Sequence, residues 1–239
     1  MLSARQLLAV WDQSLAEPPP RRAVVVLAGL LDEDPTGCAG LDVGSRDVLL
    51  GRFLHELVGP TVFAAARCAG CGELLDVPVD LVAFGALPVH PAGREFSVQV
   101  GDATIQYRLP TTADVLAVAG LPVGEAHAAL LARCLTEPGQ PPAAEPAADL
   151  VAAVEQAMED VAPGGAVDLL VHCPECGHDN TTVLDVPDLL WAELEARAVA
   201  VLRDVHALAV SYGWTEDAVL SLTPNRRAAY LALADMRQA

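Results

Sequence analysis

The sequence CAGCG at residues 68–72 returns in a closely related form as CPECG at residues 173–177. Each is a Cys-x-x-Cys motif followed by glycine, a spacing that lets two sulfur atoms of one tight turn bind the same ion. The glycine permits the positive φ angle at which backbone N–H groups reach the thiolates. Runs typical of short β-strands flank both motifs, as in a zinc ribbon built from two knuckles. We therefore expect one structural zinc ion to be held by Cys68, Cys71, Cys173 and Cys176.

Other interpretations of the cysteine motifs are weaker. A redox-active pair usually opens a helix, whereas GELLDVPVDL at residues 72–81 has the pattern of a strand. A catalytic zinc ion is disfavoured because four thiolates leave no open coordination position. About a hundred residues separate Cys71 from Cys173, so we expect the intervening segment to be inserted between two halves of the ribbon. His172 and His178 flank the second motif and are expected to lie beside the ligands or in solvent.

No other pattern in the chain predicts catalysis. The sequence has no glycine-rich phosphate loop, no Gly-x-Ser-x-Gly motif and no His-Glu-x-x-His motif. Cys38 and Cys134 have no neighbouring cysteine and are expected to be small buried hydrophobic residues. We therefore predict that the protein is not an enzyme.

Capping and turn signals place helices and strands around the motifs. Ser3 with Gln6 forms a capping box, Ser45 is the predicted N-cap of a later helix, and Gly101 with Asp102 reads as a hairpin turn. The longest helix is predicted to run from Pro187 to Tyr212. The predicted fold class is α+β. Its regions are an N-terminal helical region (1–62), two halves of a zinc ribbon (63–86 and 166–186), an inserted β-hairpin and helical region (87–165) with a proline-rich linker (137–146), and a C-terminal helical region (187–239).

Charge and hydropathy exclude several classes of partner. The formal net charge is −18, and between Arg133 and Arg197 there are thirteen acidic residues and no Lys or Arg. Such a surface repels phosphate backbones and anionic lipid, so neither nucleic acid nor a membrane is an expected partner. The apolar run at 23–31 is too short to span a bilayer and the first residues do not form a signal peptide. We expect a cytoplasmic protein, where cysteines stay reduced.

The C-terminal sequence LRDVHALAVSYGWTEDAVLSLTPNRRAAYLALA, residues 202–234, resembles the end of a phage baseplate protein family. The family comprises the T-even-phage-type baseplate hub assembly chaperones and their zinc-bearing relatives encoded with phage-tail-like contractile injection systems. VGSRDVLLGRFLHELVGP at 43–60, YRLPTTADVLAV at 107–118 and CPECGH at 173–178 are similar to those relatives, although the first motif lacks the proline of the second. The matching C-terminal residues are His206, Tyr212, Trp214, Glu216, Leu220, Leu222, Arg226, Arg227, Tyr230 and Leu231.

The resemblance implies an assembly factor that binds baseplate hub or spike proteins. Aromatic and arginine side chains are frequent anchors of protein interfaces. The expected partner-binding residues are Tyr212, Trp214, Arg226, Arg227 and Tyr230. A helix staple at Trp214 and a core position for the tyrosines are equally compatible with the pattern.

Three other functions stay open at this stage. The chain could be a structural component that remains in the finished baseplate. A zinc ribbon can also serve a nucleic-acid-binding regulator, although the acidic segment around Cys173 disfavours this function. An enzyme with a structural zinc ion is the least favoured, because the catalytic motifs are missing.

Overall fold

The computed structural model describes residues 2–135 and 148–236, which contain a mixture of helices and short antiparallel strands. This mixture agrees with the predicted fold class, whereas the linker predicted at 137–146 lies outside the described residues. The helices are α1 (Ala4–Ser14), α2 (Pro19–Leu31), α3 (Pro35–Ala39), α4 (Val43–Val58), α5 (Leu81–Gly85), α6 (Thr112–Val118), α7 (Val123–Cys134), α8 (Ala148–Val161), α9 (Val186–Tyr212), α10 (Glu216–Leu220) and α11 (Pro224–Met236). The strands are β1 (Thr61–Arg67), β2 (Leu74–Asp80), β3 (Glu95–Val100), β4 (Ala103–Arg108), β5 (Asp168–His172) and β6 (Asp179–Val183).

The chain divides into two compact units. The larger unit is Pro18–Leu190 and contains all six strands, while the smaller unit combines Met1–Glu17 with Trp191–Ala239. The finer division into five regions stays a prediction. Both cysteine motifs belong to the larger unit, and the C-terminal segment at residues 202–234 belongs to the smaller one.

Each β-strand of the larger unit pairs with a single neighbour. The result is three separate antiparallel hairpins, β1–β2, β3–β4 and β5–β6. The turn of β3–β4 consists of Gly101 and Asp102, as predicted, and the φ angle of Gly101 is +60°. The other two hairpins carry the cysteine motifs in their turns, between Arg67 and Leu74 and between His172 and Asp179.

The helix α4 precedes the first cysteine hairpin, and its N-cap lies three residues before the predicted one. Asp42 has extended backbone angles, and its carboxylate accepts a hydrogen bond from the N–H of Ser45 over 2.8 Å. The prediction that Ser45 is the cap was therefore wrong. Ser45 lies buried inside the first turn, where its hydroxyl accepts a hydrogen bond from the N–H of His90 over 2.7 Å. Farther along α4, Val48, Leu50 and Leu54 are fully buried.

The hairpin β3–β4 is covered by helices. Tyr107 is 1% exposed, stacks on Phe96 with ring centroids 5.6 Å apart, and donates its hydroxyl hydrogen to the carbonyl of Ala157 over 3.1 Å. Leu131 from α7 and Val154 from α8 complete the centre of this core. The hairpin therefore has a hydrophobic core of its own.

The smaller unit packs α1 against α9 and α10. The capping box of Ser3 and Gln6 is present as predicted. Leu8 packs with Ala198 and Val201 of α9, the longest helix, which was predicted from Pro187 to Tyr212 and spans Val186–Tyr212. Although α9 has 27 residues, no helix within the described residues is both long and apolar enough to cross a membrane.

Candidate metal centre

The turns of the two cysteine hairpins have matching backbone conformations. The N–H of Gly72 donates to the carbonyl of Cys68 over 2.9 Å, and the N–H of Gly177 donates to the carbonyl of Cys173 over the same distance. The φ angles of these glycines are +79° and +72°. Residues with a Cβ atom rarely adopt such angles, so the glycine that follows each motif is required by the turn.

A second hydrogen bond closes each turn onto its hairpin. The N–H of Cys68 donates to the carbonyl of Glu73 over 2.8 Å, and the N–H of Cys173 donates to the carbonyl of His178 over 2.9 Å. Each turn is thus a tight loop that starts at its first cysteine. Two loops of this kind present their four thiols from opposite sides of the same space.

The four sulfur atoms converge although they come from distant parts of the chain. All four lie within 4.8 Å of one another. The Sγ atoms of Cys68 and Cys176 are 3.6 Å apart, and those of Cys71 and Cys173 are 3.7 Å apart. With Zn–S bonds of about 2.3 Å, the sulfurs of a tetrahedral site are about 3.8 Å apart. The arrangement is therefore compatible with one tetrahedral metal ion, and both short distances join one motif to the other.

One side of the sulfur cluster is buried and the other faces solvent. Cys68 is 2% exposed and Cys173 is fully buried, whereas Cys71 and Cys176 are exposed. The buried side rests on a small hydrophobic cluster of Ala66, Leu75 and Val77. This cluster and the sulfur atoms together connect the two hairpins.

Different hydrogen bonds give the thiols of Cys68 and Cys71 different pKa values. The backbone N–H of Cys71 is the largest influence on Cys68 and, with the N–H of Gly70 and the side chains of Cys176 and Asn180, lowers the pKa of that thiol to about 6. For Cys71, the N–H of Glu73 lowers the pKa, but hydrogen bonds with the other cysteines and burial raise it to about 12. Without a metal ion, the cluster therefore favours a thiolate at Cys68. Binding of a cation releases the remaining protons.

Two residues of the centre were not predicted from the sequence. The side chain of Asn180 in β6 donates to Cys68 Sγ over 3.6 Å and accepts from the N–H of Ala69 over 2.9 Å. At Gly70, an added Cβ atom would lie 3.0 Å from the Cβ of His178 and 3.3 Å from the sulfur of Cys176. The Cys-x-x-Cys-Gly pattern specifies neither residue, because Gly70 occupies one of its variable positions and Asn180 lies outside it.

The histidines and the remaining cysteines lie where we expected. His172 is exposed, and its Nδ1 atom is 2.9 Å from the Oδ1 atom of Asp179. His178 is also exposed, so neither histidine replaces a cysteine in the sulfur cluster. Cys38 and Cys134 are each 1% exposed, as expected for small buried hydrophobic residues.

The predicted aromatic residues of the smaller unit form one compact cluster. The ring of Trp214 stacks on that of Tyr212 at 4.9 Å and meets the edge of Tyr230 at 4.8 Å. The hydroxyl group of Tyr212 also donates to the carbonyl of Tyr230 over 3.3 Å. All three side chains are partly buried, so they fix the end of α9 against α11 while retaining some accessible surface.

The two adjacent arginines have different surroundings. Arg227 is 8% exposed, and its Nε atom lies 2.9 Å from the Oδ2 atom of Asp204 on α9. Arg226 is exposed. Arg227 therefore joins the two helices, and Arg226 is the arginine of this pair that is accessible to another protein.

Comparisons with known proteins leave the family undecided. No family model, no curated protein and no solved structure matches this chain. The interpretation of function therefore starts from the sulfur cluster, the charge and the sequence resemblance described above.

Proposed function

We propose that this chain is a zinc-stabilised, protein-binding assembly factor for the baseplate of a phage tail or phage-tail-like contractile injection system. The metal part of the proposal depends on one observation, the four cysteine sulfurs within 4.8 Å of one another. The assembly part depends on the resemblance of residues 202–234 to the baseplate hub assembly chaperones. The two parts can be tested separately.

The chemistry of the donor set favours zinc in a structural role. Cys68, Cys71, Cys173 and Cys176 would hold the ion, and four thiolates are a common ligand set of structural zinc sites. A bound Zn²⁺ would link β1–β2 to β5–β6 through four strong bonds, two to each hairpin, where the hairpins otherwise share only a small hydrophobic cluster. Four protein ligands leave no position for water or substrate, so no reaction at the metal is proposed.

The electrostatics favour protein partners over nucleic acid. A net charge of −18 opposes binding to phosphate backbones and to anionic lipid. The proposed partners are baseplate hub or spike proteins, met in the reducing cytoplasm where thiolate ligands persist. On the smaller unit, the proposed contact surface is the accessible part of the Tyr212, Trp214 and Tyr230 cluster together with Arg226.

Co-expression with the hub and spike proteins of the same system tests the assembly role. The expected result is a complex of the purified chain with one of these proteins, formed before the sheath and tube assemble. Mass spectrometry of finished particles then separates the two roles. An assembly factor is absent or far below stoichiometric amounts, whereas a stoichiometric amount in the particle contradicts the chaperone role and indicates a structural component.

A further inference from the structure

The two cysteine hairpins differ at one equivalent position. Four residues after the second cysteine, the first hairpin has Leu75 and the second has Asn180. Both side chains are buried, with 6% and 8% exposure. Leu75 belongs to the hydrophobic cluster beneath the sulfurs. A buried amide at the matching place requires hydrogen-bond partners, because an unpaired buried polar group is destabilising.

The amide group of Asn180 finds those partners on both hairpins. Its Oδ1 atom accepts a hydrogen bond from the N–H of Ala69, 2.9 Å away in the first turn. Its Nδ2 atom donates to the carbonyl of His178 over 3.0 Å, within its own hairpin, and lies 3.4 Å from the carbonyl of Val171. The same Nδ2 atom is 3.6 Å from the sulfur of Cys68.

Asn180 is therefore a polar bridge between the hairpins that does not depend on a metal ion. It holds the backbone of the first turn next to Cys68 and fixes the direction in which that sulfur points. An N–H···S hydrogen bond also withdraws charge from a thiolate, which makes four negative sulfurs around one dication more favourable. The side chain of Leu75 can pack but cannot form hydrogen bonds, so only the second hairpin supports the centre with a side-chain amide.

We propose that Asn180 is the positioning residue of the metal centre, which sets the orientation and the electron density of Cys68. This inference rests on the proposed binding of zinc by the four cysteines. Residues that hydrogen-bond metal ligands contribute about 10- to 100-fold to metal affinity. We expect Asn180→Ala to weaken zinc binding by about this factor.

Two variants separate positioning from packing. Asn180→Leu fills the buried space with the residue found at the equivalent position but removes every hydrogen bond of the amide. Leu75→Ala is the matched control, since it removes packing beneath the centre and leaves the hydrogen bonds to Cys68 in place. Asn180→Leu is expected to lose zinc affinity with a small change in thermal stability, and Leu75→Ala is expected to show the reverse.

The experiment measures zinc affinity by competition with a chromophoric chelator and records the absorption spectrum of the Co²⁺-substituted protein. The sulfur-to-cobalt charge-transfer bands report the donor strength of the thiolates, which a purely structural change would not shift. Support for the inference consists of weaker zinc binding and shifted bands in Asn180→Leu but not in Leu75→Ala. If Asn180→Leu binds zinc with the wild-type affinity and gives the wild-type cobalt spectrum, the role of Asn180 is overturned and the proposed metal site is not. A wild-type protein that binds neither Zn²⁺ nor Co²⁺ overturns the proposed metal site as well.

Discussion

The hairpin β3–β4 and the two cysteine hairpins are of similar size but are held in different ways. A two-stranded hairpin is at best marginally stable in water, so each needs a partner surface. β3–β4 lies against α7 and α8, where Tyr107, Leu131 and Val154 are buried. β1–β2 and β5–β6 share only a small hydrophobic cluster and place four thiols above it.

This difference indicates that a metal ion would take the place of a larger hydrophobic core in the cysteine hairpins. A hydrophobic core stabilises by the area that it removes from water, and the cluster around Ala66 and Val77 removes little. Four metal–sulfur bonds would compensate for a core of this size, and they would require only the correct placement of four side chains. The two regions of the same unit should therefore respond differently to metal removal, to acid and to local substitution.

Loss of a cysteine ligand should have the largest effect. Cys173 is fully buried and belongs to the cluster that joins the hairpins. Cys173→Ser should lower bound zinc and remove much of the metal contribution, which is on the order of 10 kcal/mol in isolated zinc fingers. Hydrogen exchange should then become faster in β1, β2, β5 and β6, and it should change little in β3 and β4. Treatment of the wild type with a chelator should reproduce this pattern.

The control for this substitution is Cys38→Ser, which changes a buried cysteine that has no role in the sulfur cluster. It should retain the full zinc content. If all three hairpins were equally protected from hydrogen exchange in the metal-free wild type, the cysteine hairpins would not depend on metal more than β3–β4 does.

The next largest effect is expected from substitution of Asp114, whose ion pairs stabilise the region around β3–β4. The carboxylate of Asp114 is 2% exposed and pairs with Arg108, on β4, over 2.6 Å and with Arg133, on α7, over 2.9 Å. Breaking a buried ion pair by removing one partner costs about 3–5 kcal/mol. Asp114→Asn should lower the free energy of unfolding by an amount in this range or somewhat below it, because both arginines are partly exposed. Zinc content should not change.

The same ion pairs should give β3–β4 a pH dependence. Burial alone would raise the pKa of Asp114, but hydrogen bonds from Arg108, Thr111 and Arg133 hold it well below its ordinary value. A carboxyl group whose pKa is lower in the folded state stabilises fully above its unfolded pKa of about 4 and loses this contribution as the pH falls. The stability difference between wild type and Asp114→Asn, measured by urea denaturation, should therefore shrink between about pH 5 and pH 3. A difference that is constant over this range would contradict the ionic role of Asp114.

A smaller effect is expected where the two cysteine turns touch. Gly70→Ala would place a methyl group 3.0 Å from the Cβ atom of His178 and 3.3 Å from the sulfur of Cys176. Overpacking of this kind costs about 1–3 kcal/mol. Gly124→Ala is the matched control, because no atom lies within 4 Å of the Cβ position of Gly124 in α7. The midpoint of thermal unfolding should be lower than in the wild type for Gly70→Ala and should not be lowered for Gly124→Ala. Equal midpoints of the two variants would indicate that the turns do not interlock.

The smallest effect on stability is expected at the exposed arginine. Arg226→Glu should change the free energy of unfolding by less than about 0.5 kcal/mol, as is usual for exposed positions. Arg227→Glu should be clearly more destabilising, because it places a second carboxylate beside Asp204. For binding of hub or spike proteins, Arg226→Glu should reduce affinity in a pull-down or titration calorimetry experiment. Unchanged binding by a folded Arg226→Glu protein would exclude this residue from the interface.

The sequence predicted features that follow from local chemistry. The cysteine turns with their glycines, the Gly101-Asp102 hairpin turn and the capping box at Ser3 each depend on residues close together in the chain. The convergence of the sulfurs could also be expected, because two half-sites of the same Cys-x-x-Cys-Gly pattern satisfy one tetrahedral ion.

Other features depend on contacts that no local pattern encodes. Asp42 replaced Ser45 as the cap of α4, since either residue can accept the hydrogen bond and the path of the preceding chain selects one of them. Asn180 and Gly70 act across two hairpins that are distant in sequence. Arg227 and Arg226 are adjacent in sequence, yet their position on the helix buries one and exposes the other.

The most direct test is a measurement of the metal in protein purified under reducing conditions without added zinc. Elemental analysis should find one zinc per chain, and X-ray absorption at the zinc edge should show four sulfur neighbours at about 2.3 Å. Chains with no stoichiometric metal, or a first coordination shell containing nitrogen or oxygen atoms, would contradict a site made by the four cysteines.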